Sequence, residues 1–223
     1  MYEIEIKSLL GGSKEAEILR KKMLEADPSV KIITENKQLN HYFINGDMDK
    51  FIKLTKPLFS KENGDKLEKV IRDGQDFSIR TRQLNKKLFL VVKASIDDTT
   101  SANGISRMEF EEEVRGMSLD ELDRLLIEAG FEYQAKWSRE REEYVCKGAN
   151  VTIDKNAGYG YLAEFEKVIN DNSKADAVIE ELRSLMNQLG AEELAQDRLE
   201  RMFAYYNDNW SEYYGTDKIF IIE

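Results

Sequence analysis

The first residues of the chain alternate strictly between apolar and charged side chains. Within residues 2–8, Ile4 and Ile6 share one face of an extended segment, whereas Glu3 and Glu5 share the other. A period of two is typical of a β-strand, because successive side chains of a strand point to opposite sides of the sheet. Strand-like patterns recur along the chain and predict about eight strands, at residues 2–8, 38–44, 76–83, 87–94, 107–115, 131–146, 151–154 and 162–169.

Helical periodicity lies between and after these strands. Most steps from one strand to the next are short or hairpin-like, which favours an antiparallel sheet and an α+β fold. The chain has 223 residues, two prolines and no linker-like segment, so we expect a single domain over residues 1–223. Within it we predict a helical insert at about 47–74 and a helical carboxy-terminal extension at about 173–223.

Composition limits the classes of function. The formal net charge of −10 argues against a general nucleic-acid binder, which needs a basic face. Cys146 is the only cysteine and cannot form an internal disulfide, which fits a reducing cytoplasm. His41 is the only histidine, and we expect it to be a structural strand residue. No segment is apolar and long enough to span a membrane, so the predicted location is cytoplasmic.

On several strands, one face carries two side chains of the same charge. Arg80 and Arg82 share one face, and Glu164 and Glu166 share another. Like charges two residues apart on a strand lie about 7 Å from each other and repel. An ordinary sheet with one face in water explains any single strand. For the whole set we favour polar faces turned inward, where carboxylates bind divalent cations and arginines bind phosphate.

Four sequence segments together resemble a known family, the CYTH superfamily of triphosphate tunnel metalloenzymes. The segments are E-x-E-x-K at Glu3, Glu5 and Lys7; R-x-R at Arg80 and Arg82; R-x-R-x-x-Y at Arg139, Arg141 and Tyr144; and Asp154, Gly160, Glu164 and Glu166 in the spacing of the family's last strands. The resemblance runs from residue 2 to about residue 169. The fold that it implies is an eight-stranded antiparallel closed β-barrel, a tunnel with a polar interior and with helices packed outside.

The resemblance also implies roles for single residues and a need for Mg²⁺ or Mn²⁺, hard cations that prefer oxygen ligands. The implied metal ligands are Glu3, Glu5, Asp154, Glu164 and Glu166. The implied phosphate-binding residues are Arg80, Arg82, Lys93, Arg139 and Arg141. The candidate catalytic residues are Lys7, Lys93, Glu109 and Glu111.

Three functions follow from this resemblance. The first is metal-dependent hydrolysis of a small triphosphate, with inorganic triphosphate, thiamine triphosphate or a nucleoside triphosphate as substrate. The second is a class IV adenylyl cyclase, which converts ATP to cyclic AMP and pyrophosphate. The third is a non-catalytic module that binds polyphosphate or nucleotide. The expected partner is a small triphosphate molecule rather than nucleic acid or a membrane, and association into a homodimer stays open.

Overall fold

The computed structural model describes residues 2–95, 107–170 and 172–222, without the side chains of Tyr2, Glu3, Arg107 and Asn172. Eight strands lie in these ranges: β1 (Tyr2–Gly11), β2 (Ile32–Asn45), β3 (Gln75–Leu84), β4 (Lys87–Ser95), β5 (Arg107–Val114), β6 (Phe131–Cys146), β7 (Ala149–Asn156) and β8 (Gly160–Ile169). Six α-helices accompany them: α1 (Ser13–Ala26), α2 (Met48–Thr55), α3 (Lys61–Asp73), α4 (Leu119–Glu128), α5 (Ala175–Leu189) and α6 (Gln196–Tyr213). Within these residues, no helix is long and apolar enough to cross a membrane.

The strands form an antiparallel sheet in the order β1-β8-β7-β6-β2-β3-β4-β5, which confirms the predicted α+β class. The prediction of a closed barrel is wrong: in the described residues no ladder pairs β1 with β5, and both remain edge strands. A barrel closes only when its first and last strands are hydrogen-bonded to each other. Alternation along a strand is the same in open and closed sheets, so the sequence pattern could not distinguish the two.

Tertiary contacts divide the chain into two compact units. The first unit comprises residues 1–37 and 138–223, and the second comprises residues 38–137. Helices α2 and α3 lie where the insert was predicted, and α5 and α6 lie in the predicted carboxy-terminal extension. The assignment of all 223 residues to one domain stays a prediction.

In the first unit, helices α1 and α5 cover the apolar face of the strands. Alternate residues of the strands, such as Ile6, Val151 and Phe165, pack with Leu19 of α1 and Leu182 of α5. Their apolar side chains occupy one face, so the charged residues of the same strands are left on the other.

In the second unit, helices α2, α3 and α4 build a corresponding core on strands β3, β4 and β5. Phe51, Leu67 and Leu122 of the helices are fully buried there with Ile79 and Phe110 of the strands. Helix α4 begins with the capping box that its sequence predicts. The Ser118 hydroxyl accepts a hydrogen bond from the Glu121 backbone N–H, and the Glu121 carboxylate accepts one from the Ser118 N–H.

A buried polar network ties α4 to the strands of the second unit. Asp123 on α4 is 1% exposed, and its carboxylate lies 2.6 Å from His41 Nδ1. Thr81 and Tyr133 donate hydrogen bonds to the same carboxylate over 2.6 and 2.8 Å. These contacts confirm that His41 is a structural residue. Burial alone would raise the pKa of Asp123, but the hydrogen bonds from His41, Thr81 and Tyr133 outweigh it and lower that pKa.

Replacing Asp123 by Asn should lower the free energy of unfolding at pH 6 by about 2 kcal/mol, because His41, Thr81 and Tyr133 would lose a charged, buried acceptor. Since the pKa of Asp123 is lower in the folded than in the unfolded state, its stabilisation is present above the unfolded value, about 3.9, and is lost as the pH falls through the folded value. Urea titrations between pH 6 and pH 3 should therefore show that the free energy of unfolding falls less steeply with decreasing pH in the variant than in wild type. The exposed Glu128, on the same helix, provides the control Glu128→Gln. An identical pH profile for wild type and Asp123→Asn would contradict the prediction.

Candidate functional site

Strand register in the first unit places the predicted site residues on one face of the sheet. Glu164 on β8 is opposite Lys7 on β1 and Thr152 on β7. Arg141 on β6 is opposite Asp154 on β7. Directly paired residues of antiparallel strands project to the same side. We call the residues of this face the first cluster, which contains Glu5, Lys7, Arg139, Arg141, Thr152, Asp154, Glu164 and Glu166.

Asp154 holds the two arginines of the first cluster. Its carboxylate is 1% exposed and accepts hydrogen bonds from Arg141 Nε and Nη2 over 2.7 and 2.6 Å. Arg139 Nη1 donates to the same carboxylate over 3.2 Å. Two-point contact fixes the plane of the Arg141 guanidinium. Asp154 could bind a metal only if these arginines moved, and its role as a ligand stays a prediction.

Glu164 has three polar partners on this face. Arg141 Nη2 and Thr152 Oγ1 both donate to its Oε2, and Lys7 Nζ lies 3.4 Å from its Oε1. Lys7 also pairs with Glu5. Burial would raise the pKa of Glu164, but the charges of Lys7, Arg141 and Arg139 outweigh it and hold that pKa below its ordinary value. Glu164 is therefore an anion at neutral pH.

The donor chemistry of the first cluster suits a hard divalent cation. Glu5 is directly opposite Glu166, and side chains in that relation have Cβ atoms about 5 Å apart, where like charges destabilise the sheet. A bound Mg²⁺ or Mn²⁺ would relieve this repulsion with the oxygen ligands that it prefers. Among the described residues, no three His, Cys, Asp or Glu side chains converge as a ready-made site. The Glu3 side chain, also a predicted ligand, lies outside the described structure.

The second unit carries a separate basic group on the polar face of β3 and β4, which we call the second cluster. It contains Arg80, Arg82 and Lys93 with their partners Asn40, Tyr42, Glu109 and Glu111. Arg82 donates to Asn40 Oδ1 over 3.0 Å and to Glu111 over 2.6 Å. Lys93 Nζ lies 3.1 Å from Glu109 Oε1. Predicted phosphate-binding and catalytic residues therefore pair with one another here.

Arg80 combines a contact to Tyr42 with one buried donor that has no acceptor in the described structure. Its Nη1 donates to the Tyr42 hydroxyl over 2.6 Å, and its guanidinium lies 5.4 Å from the centre of the Tyr42 ring. Its Nε is buried and has no hydrogen-bond acceptor within the described structure. Buried donors in native proteins are nearly always satisfied. The predicted role of Arg80 in binding phosphate stays a prediction.

Sequence reasoning missed three residues that hold the clusters in place. Asn40, Tyr42 and Thr152 each bond a predicted site residue. Alternation within 38–44 puts Asn40 and Tyr42 on one face, but only the register of β2 against β3 pairs them with Arg82 and Arg80. The sequence carried no signal for these partners.

Tyr144, part of the R-x-R-x-x-Y segment, projects to the opposite face of β6. Its hydroxyl donates to Glu142 over 2.6 Å, and Glu142 accepts two hydrogen bonds from Arg20 on α1. Burial first, and then the hydrogen bond to Glu142, raises the pKa of Tyr144. Glu142 therefore links β6 to Arg20 of α1, and Tyr144 supports it and stays neutral.

Comparison with models of known families shows which family the chain belongs to. Residues 64–198, more than half of the chain, match the model of the CYTH domain. The chain belongs to the CYTH family. The matched part of this CYTH protein contains the second cluster's Arg80, Arg82 and Lys93 as well as Arg139, Arg141, Asp154, Glu164 and Glu166. The earlier E-x-E-x-K segment at residues 3–7 precedes it.

Solved structures support the CYTH fold. A protein from Pyrococcus horikoshii OT3 is 22% identical with a TM-score of 0.53, over 87% of this chain and 94% of that chain. A conserved hypothetical protein from Pyrococcus furiosus is 17% identical with a TM-score of 0.54, over 85% and 91%. A protein of Vibrio parahaemolyticus, described as a proposed adenylate cyclase, is 15% identical with a TM-score of 0.56, over 92% and 98%. Comparison with curated proteins returns no significant match.

Proposed function

We propose that this CYTH protein hydrolyses a small triphosphate with the help of Mg²⁺ or Mn²⁺. The observation that carries the proposal is the first cluster, where the acidic residues Glu5, Glu164 and Glu166 share one sheet face with Arg139 and Arg141. Carboxylates bind the cation that accompanies a polyphosphate, and arginines bind phosphate oxygens with a planar fork.

The acidic and basic residues of the first cluster would have different roles. In the first cluster, Glu5, Glu164 and Glu166 would hold the cation, joined by the predicted ligand Glu3. The predicted ligand Asp154 would join them only if Arg139 and Arg141 moved. The bound cation would neutralise phosphate charge and polarise a phosphoryl oxygen. Arg139 and Arg141, oriented by Asp154, would stabilise the charge that develops on the diphosphate leaving group.

The remaining predicted residues support this chemistry by position. Lys7 contacts Glu5 and Glu164, so we assign it to balancing carboxylate charge until the substrate binds. In the second cluster, Arg80, Arg82 and Lys93 would bind phosphate oxygens. Glu109 pairs with Lys93 and Glu111 pairs with Arg82, which favours an orienting role for both carboxylates. Water would attack the terminal phosphorus in line, the bond from that phosphorus to its bridging oxygen would break, and the diphosphate end of the substrate would leave as the released phosphate forms.

Adenylyl cyclase activity is the second candidate. It is favoured by the shared fold with the Vibrio parahaemolyticus protein described as a proposed adenylate cyclase. In that reaction the ribose 3′-hydroxyl would attack the α-phosphorus of ATP, and pyrophosphate would leave. Both reactions begin with a bound triphosphate, so products rather than binding distinguish the two activities.

A product assay tests the proposal. Purified protein is incubated with inorganic triphosphate, thiamine triphosphate or ATP, each with Mg²⁺, Mn²⁺ or EDTA, while phosphate, pyrophosphate and cyclic AMP are measured. We expect metal-dependent release of phosphate. A variant carrying Arg80→Ala and Arg82→Ala, purified in parallel, controls for contaminating phosphatases and should lose the activity. Cyclic AMP with pyrophosphate would establish the cyclase instead, and no product with any substrate would refute both.

A further inference from the structure

The ammonium group of Lys7 lies between two carboxylates of the first cluster. Lys7 and Glu5 are two residues apart on β1 and therefore project from the same face of the strand. Lys7 Nζ pairs with Glu5 Oε1 and lies 3.4 Å from Oε1 of Glu164, which is directly opposite Lys7 on β8. One positive charge thus bridges two residues that the sequence predicts as metal ligands.

The two carboxylate oxygens of Glu164 have different partners. Oε2 accepts hydrogen bonds from Arg141 Nη2 and from Thr152 Oγ1, the latter over 3.3 Å. Thr152 is 3% exposed and lies directly opposite Glu164 on β7, so water has little access to this contact. Oε1, by contrast, faces Lys7. A cation that binds Glu164 without displacing Arg141 must therefore approach Oε1, where the ammonium lies.

Lys7 is held less firmly than Arg141 on the same face. Arg141 makes a two-point contact with the buried carboxylate of Asp154, which fixes the plane of the guanidinium. The side chain of Lys7 is 28% exposed and ends in a compact point charge on a flexible aliphatic stem. The Lys7 ammonium can therefore leave its two carboxylates through rotation of its own side chain, without movement of the strand.

We propose that Lys7 is an internal competitor of the divalent cation: its ammonium occupies the place between Glu5 and Glu164 and must leave before Mg²⁺ or Mn²⁺ binds there. This inference rests on the proposed function, in which both carboxylates hold the cation. A Mg²⁺ ion lies only about 2.1 Å from its oxygen ligands, so an ammonium bonded to the same two oxygens excludes it, and the two positive charges repel each other. Lys7 therefore weakens cation binding to the substrate-free protein and offsets the repulsion between the carboxylates until the cation arrives.

Mn²⁺ binding to the substrate-free protein tests the inference without any turnover. Bound and free Mn²⁺ are distinguished by electron paramagnetic resonance, for wild type, Lys7→Met and Lys7→Arg. Methionine is unbranched like lysine but carries no charge, whereas arginine keeps the charge. We expect Lys7→Met to lower the Kd for Mn²⁺ about tenfold, a change typical of two coupled binding events. Lys7→Arg should bind Mn²⁺ no more tightly than wild type.

Lys167→Met is the matched control. Lys167 follows Glu166 on β8 but projects to the opposite face, where it pairs with Glu181 of α5. Its replacement removes the same charge from a neighbouring strand without freeing a carboxylate of the first cluster. The Kd for Mn²⁺ should therefore change less than about twofold, as expected for an exposed ion pair.

Three results would overturn the inference. The first is a Kd for Mn²⁺ that is unchanged or higher in Lys7→Met. The second is an equal gain in Lys167→Met, which would indicate a general effect of charge. The third is no Mn²⁺ binding by either wild type or Lys7→Met, because no cation site would then exist at the position of the ammonium. The proposed function would survive each of them if phosphate release stays metal-dependent, since a triphosphate can bring its own cation to the site.

Discussion

Glu164→Gln should reduce metal-dependent turnover about a hundredfold or more without unfolding the protein. Glutamine matches the shape of glutamate but removes the negative charge. Glu164 is contacted by Lys7, Arg141 and Thr152, so the change also leaves two cations on this face with one anion fewer. We expect kcat to fall and the Mn²⁺ concentration at half-maximal activity to rise. KM for the triphosphate should change little, because removing a carboxylate charge does not weaken the attraction of this face for an anionic substrate.

Glu140→Gln is the matched control. Glu140 is an exposed glutamate on the opposite face of β6, where it pairs with Lys37. An exposed pair of this kind contributes little, so activity and its metal dependence should stay as in wild type. Full activity of Glu164→Gln at every Mn²⁺ concentration would remove Glu164 from the metal site and from the reaction.

Asp154→Asn should lower the free energy of unfolding by about 3 kcal/mol, because removing one partner of a buried ionic cluster leaves the others uncompensated. Asp154 is 1% exposed and accepts from both Arg139 and Arg141. An amide neutralises neither guanidinium and can accept through one oxygen only. KM for triphosphate should rise as well, since Arg141 would lose the contact that fixes its plane. Denaturant titration and steady-state kinetics measure the two effects.

The control for this variant is Asp217→Asn. Asp217 is exposed and pairs with Lys155, which is the neighbour of Asp154 on β7. Asp217→Asn should lower the free energy of unfolding by less than about 1 kcal/mol. Unchanged stability and KM in Asp154→Asn would contradict the view that Asp154 orients the arginines. A large rise in the Mn²⁺ requirement of that variant would support the sequence-based assignment of Asp154 as a metal ligand.

Much of the fold could be predicted because it rests on local rules. The alternation in residues 2–8 and 76–83 predicted strands and the charged face that each would present. The capping box at Ser118 predicted where α4 begins. Strand β2 begins at Ile32, whereas the predicted strand begins at 38. The sequence pattern missed the earlier residues because 32–35 are exposed and carry no apolar alternation.

The sequence by itself determined which residues carry charge on each strand, since the direction of a side chain depends only on its place in a strand with a period of two. It could not determine which charges meet. Lys7 reaches Glu164 from the far end of the chain, and Arg141 meets Asp154 only through the register of β6 and β7. The two edges of the sheet were likewise decided by strand pairing. Pairing depends on the packing of distant segments, which no local pattern records.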